Sequence, residues 1–334
     1  ARTCPKSDQK STSPNLHNSS PLASHSHVIT QMRIASPPAP RFTLPMTNDP
    51  RLTPLAATLP ATVPFVGPEA QERARGQAFT ARLGANENGF GPSPKAVKAM
   101  ANAAADAWKY PDPENHDLKH ALADHHNVRP DNIVIGEGID GLLGLLVRLF
   151  VEQDVPVVTS LGAYPTFNYH VAGFGGKLET VPYVDDREDP ESLLEAVKHH
   201  EAPLFYFANP DNPMGTWVSA EEVTNFSRQL PGQSVLCLDE AYCDFAPDGT
   251  IPEIDVSQPN IIRMRTFSKG YGMAGARIGY AIAHKELATA FNKVRNHFGM
   301  SRISQAGALA ALGDQDHRCA GALYEARQRG LAFC

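Results

Sequence analysis

Lys269 lies in RTFSKGYGMAGAR (265–277), beside the hydroxyls of Thr266 and Ser268 and eight residues before Arg277. An amine that is partly desolvated and near other cations has a lowered pKa and can form a Schiff base with a carbonyl. Thr266, Ser268 and Arg277 are suited to bind a phosphate. An aldehyde cofactor that carries a phosphate meets both halves of that description. Asp239 ends the apolar run VLCLD (235–239). A carboxylate partly buried there needs a cationic partner, either a Lys or Arg elsewhere in the chain or a protonated pyridine nitrogen. In pyridoxal phosphate chemistry such an acid keeps the ring nitrogen charged, so that the ring acts as an electron sink. Tyr242 follows three residues on, within reach of a ring's phenolic oxygen. Asn212, in the turn ANPDNPMGT (208–216), can aim its amide at the same atom, or simply form the turn. Tyr164, in GAYPTF (162–167), can stack on a flat heterocycle, or simply start a helix.

These residues need a frame that brings them together. Short apolar runs alternate with amphipathic stretches from about residue 80. Strands are expected over 132–136, 155–159, 177–183, 204–208, 235–239, 261–266 and 277–282. Helices are expected over 140–150, 164–172, 190–199, 220–229, 285–298 and 322–331. Fully apolar short strands separated by helices imply a mostly parallel α/β sheet covered on both faces. In such sheets ligands bind beyond the carboxyl ends of the strands. Residues 138–141, Tyr164, Asn212, Asp239, Tyr242 and 266–269 all follow strands, so they are expected to converge on one edge.

GxGxxG occurs at Gly136–Gly138–Gly141 and again at Gly270–Gly272–Gly275. A dinucleotide site would also need an acid at the end of the next strand, and 155–160 ends without one. The second copy leads into a strand rather than a helix. The first copy keeps a physical use, because a glycine turn that opens a helix offers free N–H groups to an anion.

The 334 residues carry net charge −6, with 42% hydrophobic and 20% charged residues. This is a globular composition without a basic excess, which argues against nucleic acid as the partner. No apolar run is long enough to cross a bilayer, so no membrane association is expected. Five sparse cysteines point to a reducing compartment, the cytoplasm. Residues 1–45 hold five Lys/Arg and one acid, rich in Ser and Pro, which leaves −10 for the remainder. They are expected to be a disordered or non-native leader, with Met46 as the true start, or else an organelle transit peptide, which a basic, Ser-rich, acid-poor composition also suits. His116 and His120 stand i, i+4, but no HExxH or paired cysteine supports zinc, and no metal site is expected.

Taken together, ANENGFGPSP (85–94), KYPDP (109–113), GEGIDG (136–141), AYPTF (163–167), NPDNPMG (209–215), LDEAYCDF (238–245) and RTFSKGYGMAGARIGYAIA (265–283) follow the order seen in another set of enzymes. The chain resembles the pyridoxal-phosphate aminotransferases of classes I and II, most closely the histidinol-phosphate branch, over about residues 80–315. The resemblance implies fold type I: a large α/β domain with a mostly parallel seven-stranded sheet (109–315) and a small α+β domain. That small domain would be built from 46–108 and an incomplete piece at 316–334. It implies pyridoxal 5′-phosphate as cofactor, with amino acid and keto acid substrates and glutamate as amino donor. Lys269 would be the Schiff-base lysine and proton shuttle, and Asp239 the pyridine-nitrogen partner. Asn212 and Tyr242 would hold the phenolic oxygen, and Tyr164 would stack on the ring. Ile139 and Asp140 would give backbone N–H groups to the phosphate, joined by Thr266, Ser268 and Arg277. Tyr110 would reach the phosphate of a neighbouring subunit, implying a homodimer, and Asn86, Glu87 and Asn88 would border the substrate.

The chain departs from the family pattern at Met214, where Thr is usual, at Gly141, where an acid is common, and over GMSRIS (299–304). The rival readings are a decarboxylase or an aromatic aminotransferase of the same fold, a truncated cofactor-binding protein without turnover, and a nicotinamide dehydrogenase.

Overall fold

The computed structural model describes residues 51–61 and 65–320. The chain divides into two units, Ala1–Leu52 and Thr53–Cys334, and all that follows concerns the second. The expected leader over 1–45, its Met46 start and the helix expected at 322–331 lie outside the described residues.

The helices are α1 (Pro54–Thr58), α2 (Pro68–Arg75), α3 (Pro94–Ala104), α4 (His116–His126), α5 (Gly138–Phe150), α6 (Pro165–Gly173), α7 (Pro190–His200), α8 (Ala220–Ser227), α9 (Lys285–Ala290), α10 (Arg302–Leu312) and α11 (Gln315–Ala320). The strands are β1 (Ile133–Gly136), β2 (Pro156–Ser160), β3 (Lys177–Val181), β4 (Leu204–Ala208), β5 (Val235–Asp239), β6 (Ile261–Thr266) and β7 (Gly279–Ala283). They form one seven-stranded sheet in the order β1-β7-β6-β5-β4-β2-β3. Six strands run in one direction, and β7 lies antiparallel to both of its neighbours.

Strand β4 shows why the sheet is closed on both sides. Leu204, Tyr206 and Ala208 face the cluster containing Leu142, Leu146, Phe167 and Val171 of α5 and α6. Phe205 and Phe207 alternate to the other face, against Val197 of α7 and Val223 and Phe226 of α8. The period of two places alternate residues on opposite faces, and both faces are dry. A third cluster joins Leu118 and Leu122 of α4 and Ala308 and Leu312 of α10 to Ile133, Ile135, Tyr280 and Ile282 on the strands.

Local signals set the helix starts. Asp189 accepts from Ser192 N–H at 3.3 Å, with Pro190 in the first turn of α7. Ser219 and Glu222 form a reciprocal capping box on α8. Several elements differ from the sequence expectation, α5 beginning at Gly138 rather than 140 and α8 ending at Ser227 rather than 229 among them. The helix expected over 285–298 stops at Ala290, and one 3-10 turn follows at Phe291–Lys293. There Arg295 turns aside to bond the neighbouring Asn292 Oδ1 and the distant Pro113 carbonyl, and the second, tertiary contact accompanies the end of the helix. The last strand begins at Gly279 rather than 277, because Arg277 is left-handed (φ 51°) after a 3-10 turn. The third strand ends at Val181, short of the expected 183.

Strands β5 and β6 are fastened where they leave the sheet. Glu240 is fully buried and accepts from Arg263 Nη2 at 2.5 Å and Arg265 Nε at 2.7 Å. The buried Arg263 and the partly buried Arg265 hold this carboxylate below the ordinary carboxylate range, against the cost of burial. The clamp fixes the end of β5, which carries Asp239, against the strand that leads to Lys269.

Among the described residues no helix is long and apolar enough to cross a membrane. His116 and His120 lie on α4 with their rings tilted by 33°, 4.1 Å between centroids, and no group of three or more metal-ligating side chains occurs among the described residues.

Candidate active site

The carboxyl ends of β2, β4, β5 and β6 open onto a cleft of about 430 Å³. Its lining includes Ile139, Asp140, Tyr164, Asn212, Asp239, Tyr242, Thr266, Ser268, Lys269 and Arg277. Ten of the side chains singled out in sequence therefore meet in one place. Tyr110 does not: it is 75% exposed, outside the cleft, and stacks on Phe298 with ring centroids 4.6 Å apart.

One end of the cleft is an anion cradle. Gly138 opens α5 with φ +79°, and a Cβ there would run into the Arg277 guanidinium. A Cβ at Gly279 would lie 2.5 Å from the Gly138 carbonyl carbon and 2.6 Å from Ile139 N. Only glycine lets β7 pass so close to the start of α5. The first-turn N–H groups of α5, the Arg277 guanidinium and Ser268 Oγ thus share one corner, with Arg277 Nη1 3.4 Å from Ser268 Oγ. Thr266 is more constrained than its sequence position suggested. Its hydroxyl donates to Ile278 O at 3.2 Å and accepts from Ser268 N–H at 3.0 Å, so it braces the turn. Asp140 turns its carboxylate to His170 Nε2 at 2.9 Å.

At the cleft floor Asp239 is 5% exposed. Burial pushes its carboxyl up to about 6, although Tyr206 O–H (2.7 Å) and Ala241 N–H (2.8 Å) both donate to it. A cation at this carboxylate would reverse the effect of burial. Lys269 Nζ donates to the carbonyls of Ala85 (3.2 Å) and Asn86 (3.1 Å) and lies 5.3 Å from the Tyr242 ring centroid. Burial draws its ammonium below the ordinary lysine value, and the Arg277 charge adds to that, while Glu87 and Asp239 oppose it. Tyr242 is pushed up to about 12 by burial and accepts from Asn86 Nδ2 at 3.0 Å.

Behind Asn212, Asp211 accepts from Tyr183 O–H and Glu188 accepts from Ala208 N–H, each at 3.0 Å. Burial and their mutual charge raise Glu188, and burial raises Asp211. The segment 85–91 closes over the lysine turn, where Asn88 Nδ2 donates to Lys269 O at 3.2 Å.

The sequence reading missed Tyr206, which lines the cleft from within the run LFYFA. The available signal was a single hydroxyl in an otherwise apolar, doubly covered strand, since a buried Tyr O–H must find an acceptor.

The donor set fits a flat phosphorylated pyridine aldehyde. It offers an amine with depressed basicity, a buried carboxylate in need of a cation, a ring face at Tyr164 and an anion cradle. Arg277→Ala is expected to weaken affinity for such a phosphate about 10–100-fold, the worth of a charge-assisted hydrogen bond. Titrating the variant with pyridoxal phosphate and with pyridoxal checks this, because only the phosphorylated ligand should respond.

The family model for class I and II aminotransferases matches residues 80–331. A histidinol-phosphate aminotransferase of Desulfotalea psychrophila is 36% identical over 251 residues, 73% of this chain and 66% of that protein. A second, from an Anaeromyxobacter species, is 36% identical over 273 residues, 80% of this chain and 74% of that protein. The chain therefore spans slightly under two thirds of the first relative's length and about three quarters of the second's. Among solved structures, that of histidinol-phosphate aminotransferase from Sinorhizobium meliloti in complex with pyridoxal-5′-phosphate is 59% identical with a TM-score of 0.82. The match covers 85% of this chain and 77% of that one.

Proposed function

This chain belongs to the class I and II aminotransferase family, and we propose that it uses pyridoxal 5′-phosphate to transfer an amino group between glutamate and a keto acceptor of the histidinol-phosphate type. The observation that carries the reading is the joint placement of Lys269, Asp239 and the Arg277 cradle around one cleft. The 59% identity to the Sinorhizobium meliloti enzyme supports the histidinol-phosphate branch over other aminotransferases.

The bound cofactor supplies an electron sink for the pair left on the substrate Cα. The chain's own groups do the rest. Arg277, Ser268 and the N–H groups of Ile139 and Asp140 hold the phosphate. Asp239 keeps its negative charge against the pyridine nitrogen. Tyr242 and Asn212 orient the phenolic oxygen, and Tyr164 covers the ring face. Lys269 Nζ accepts the proton from the substrate Cα. Its depressed basicity matters here, because an amine that loses its proton more readily is a better base near neutral pH. The exposed Tyr110 is read as reaching the phosphate site of a second copy in a homodimer.

The test is an assay of the protein loaded with pyridoxal phosphate, given histidinol phosphate and 2-oxoglutarate. Glutamate formation dependent on both substrates is expected. Release of carbon dioxide from an α-amino acid offered in place of histidinol phosphate, with no keto acid formed, would replace the transferase reading with a decarboxylase.

A further inference from the structure

Strand β4 lies beside β5 with Tyr206 opposite Cys237 and Ala208 opposite Asp239. Tyr206 and Asp239 are thus diagonal neighbours on one face of the sheet, close enough for a long side chain to span. The Tyr206 side chain does so, with its hydroxyl donating to Asp239 Oδ2 at 2.7 Å. The residue is 1% exposed, and its ring stacks on Phe167 of α6 with centroids 4.8 Å apart and planes 23° from parallel. Ring packing fixes where the hydroxyl points, and the hydroxyl in turn fixes one carboxylate oxygen. Ala241 N–H fixes the other at 2.8 Å.

We propose that Tyr206 is a positioning residue for the cofactor: its hydroxyl locks the rotamer of Asp239 and draws off part of its charge, so setting how strongly the carboxylate binds the ring nitrogen. The inference rests on the reading of Asp239 as the ring-nitrogen partner. Two features separate this contact from ordinary core satisfaction. The acceptor is a carboxylate that lines the cleft, as does Tyr206 itself. The contact has the full length of a hydroxyl hydrogen bond, 2.7 Å. It also lies in a dry interior, where a hydrogen bond to charge counts for more than it does in water.

The groups facing the pair are few. Tyr206 feels Asp239, Glu188 and Cys237, and Asp239 feels Glu240 and Lys269 as well. None of these replaces the phenol as donor to Oδ2. A Phe at 206 keeps the stack on Phe167 and removes only the hydroxyl. Asp239 would then present its charge undivided but less firmly aimed.

The experiment compares the full chain with Tyr206→Phe, Asp239→Asn and the double variant. Each apoprotein is titrated with pyridoxal phosphate, and the visible absorption band of the bound cofactor is followed against pH. Tyr206→Phe is expected to bind the cofactor about tenfold more weakly. The pH midpoint of its band should move upward, because a less neutralised carboxylate favours the cationic chromophore. Both effects should vanish in the Asp239→Asn background, since Tyr206 acts through that carboxylate. An unchanged affinity and midpoint in Tyr206→Phe would overturn the proposal, whatever happens to the melting temperature. Equal effects of the Tyr206 change in both backgrounds would overturn it too. If the wild-type chain itself forms no visible band, the cofactor reading fails rather than the role of Tyr206.

Discussion

Lys269→Ala is expected to lose covalent retention of pyridoxal phosphate and at least ~10³-fold in turnover while remaining folded. The size of the loss follows from two roles resting on one atom. In the proposed function Nζ is both the amine that attaches the cofactor and the base that takes the substrate Cα proton. Among the described residues no other amine lines the cleft, and the other cation of its lining, Arg277, is a guanidinium at the anion cradle. Folding should be little affected. Nζ donates only to the main-chain carbonyls of Ala85 and Asn86, and the segment they belong to is also tied down through Asn86 to Tyr242 and Asn88 to Lys269 O. Borohydride treatment followed by peptide mapping should find the adduct on Lys269 in the wild type and none in the variant. A variant that turns over at a rate near wild type would remove Lys269 from the chemistry. Residual non-covalent binding is expected, since Asp239 and Arg277 remain.

Asp239→Asn is expected to act in opposite directions on stability and on activity. In the apoprotein burial pushes the carboxyl up from the ordinary 3.8 to about 6. The folded state then holds a proton between those values that the unfolded state has released. Stability falls as pH rises through that window, and above about pH 6 the ionised group costs roughly 3 kcal/mol. Asn removes that cost. The Tyr206 hydroxyl can rotate to suit either amide atom, so the hydrogen bond survives. The apo variant should therefore melt higher than wild type at pH 7, and the difference should shrink toward pH 4. Turnover should fall ~10²–10³-fold, because the charged ring nitrogen would lose its buried counter-charge. Melting curves from pH 4 to 7 and single-turnover rates check both halves. A variant less stable than wild type at pH 7 would show that Asp239 is not held against its ionised form.

The two expected results share a structural origin. The site keeps a carboxylate and an amine in an environment that disfavours the charged form of each, an arrangement typical of groups recruited for chemistry. The Glu240–Arg263–Arg265 clamp shows the contrast. There the carboxylate is paired with two guanidinium groups, and the cluster holds two strand ends outside the cleft lining.

LFYFA and VLCLD were legible to the residue, and the structure places β4 and β5 at 204–208 and 235–239. Five apolar residues between turn formers leave little choice once both faces must be dry. The site residues were legible for a related reason: a polar side chain directly after such a strand lands on the carboxyl edge of the sheet whatever the order of strands. The helix expected over 285–298 failed where Arg295 found partners near residue 113, an interaction some 180 residues distant that no local pattern contains. Tyr206 was hidden for the same reason, since its acceptor sits 33 residues away on a neighbouring strand.

The sequence by itself thus determined which segments are buried on both faces and which chemical groups stand at their ends. It also held the amine, the acid and the glycine turn that together imply a phosphorylated aldehyde. Periodicity and apolar runs are local, and they report burial directly. Tertiary structure alone decided the strand order, the antiparallel course of β7 and the approach of Gly279 to Gly138 that carries Arg277 to the cradle. It alone also decided the pairing of Tyr206 with Asp239 and the position of Tyr110 outside the cleft. Those features depend on which distant surfaces fit together, and a side chain's environment exists only after they have.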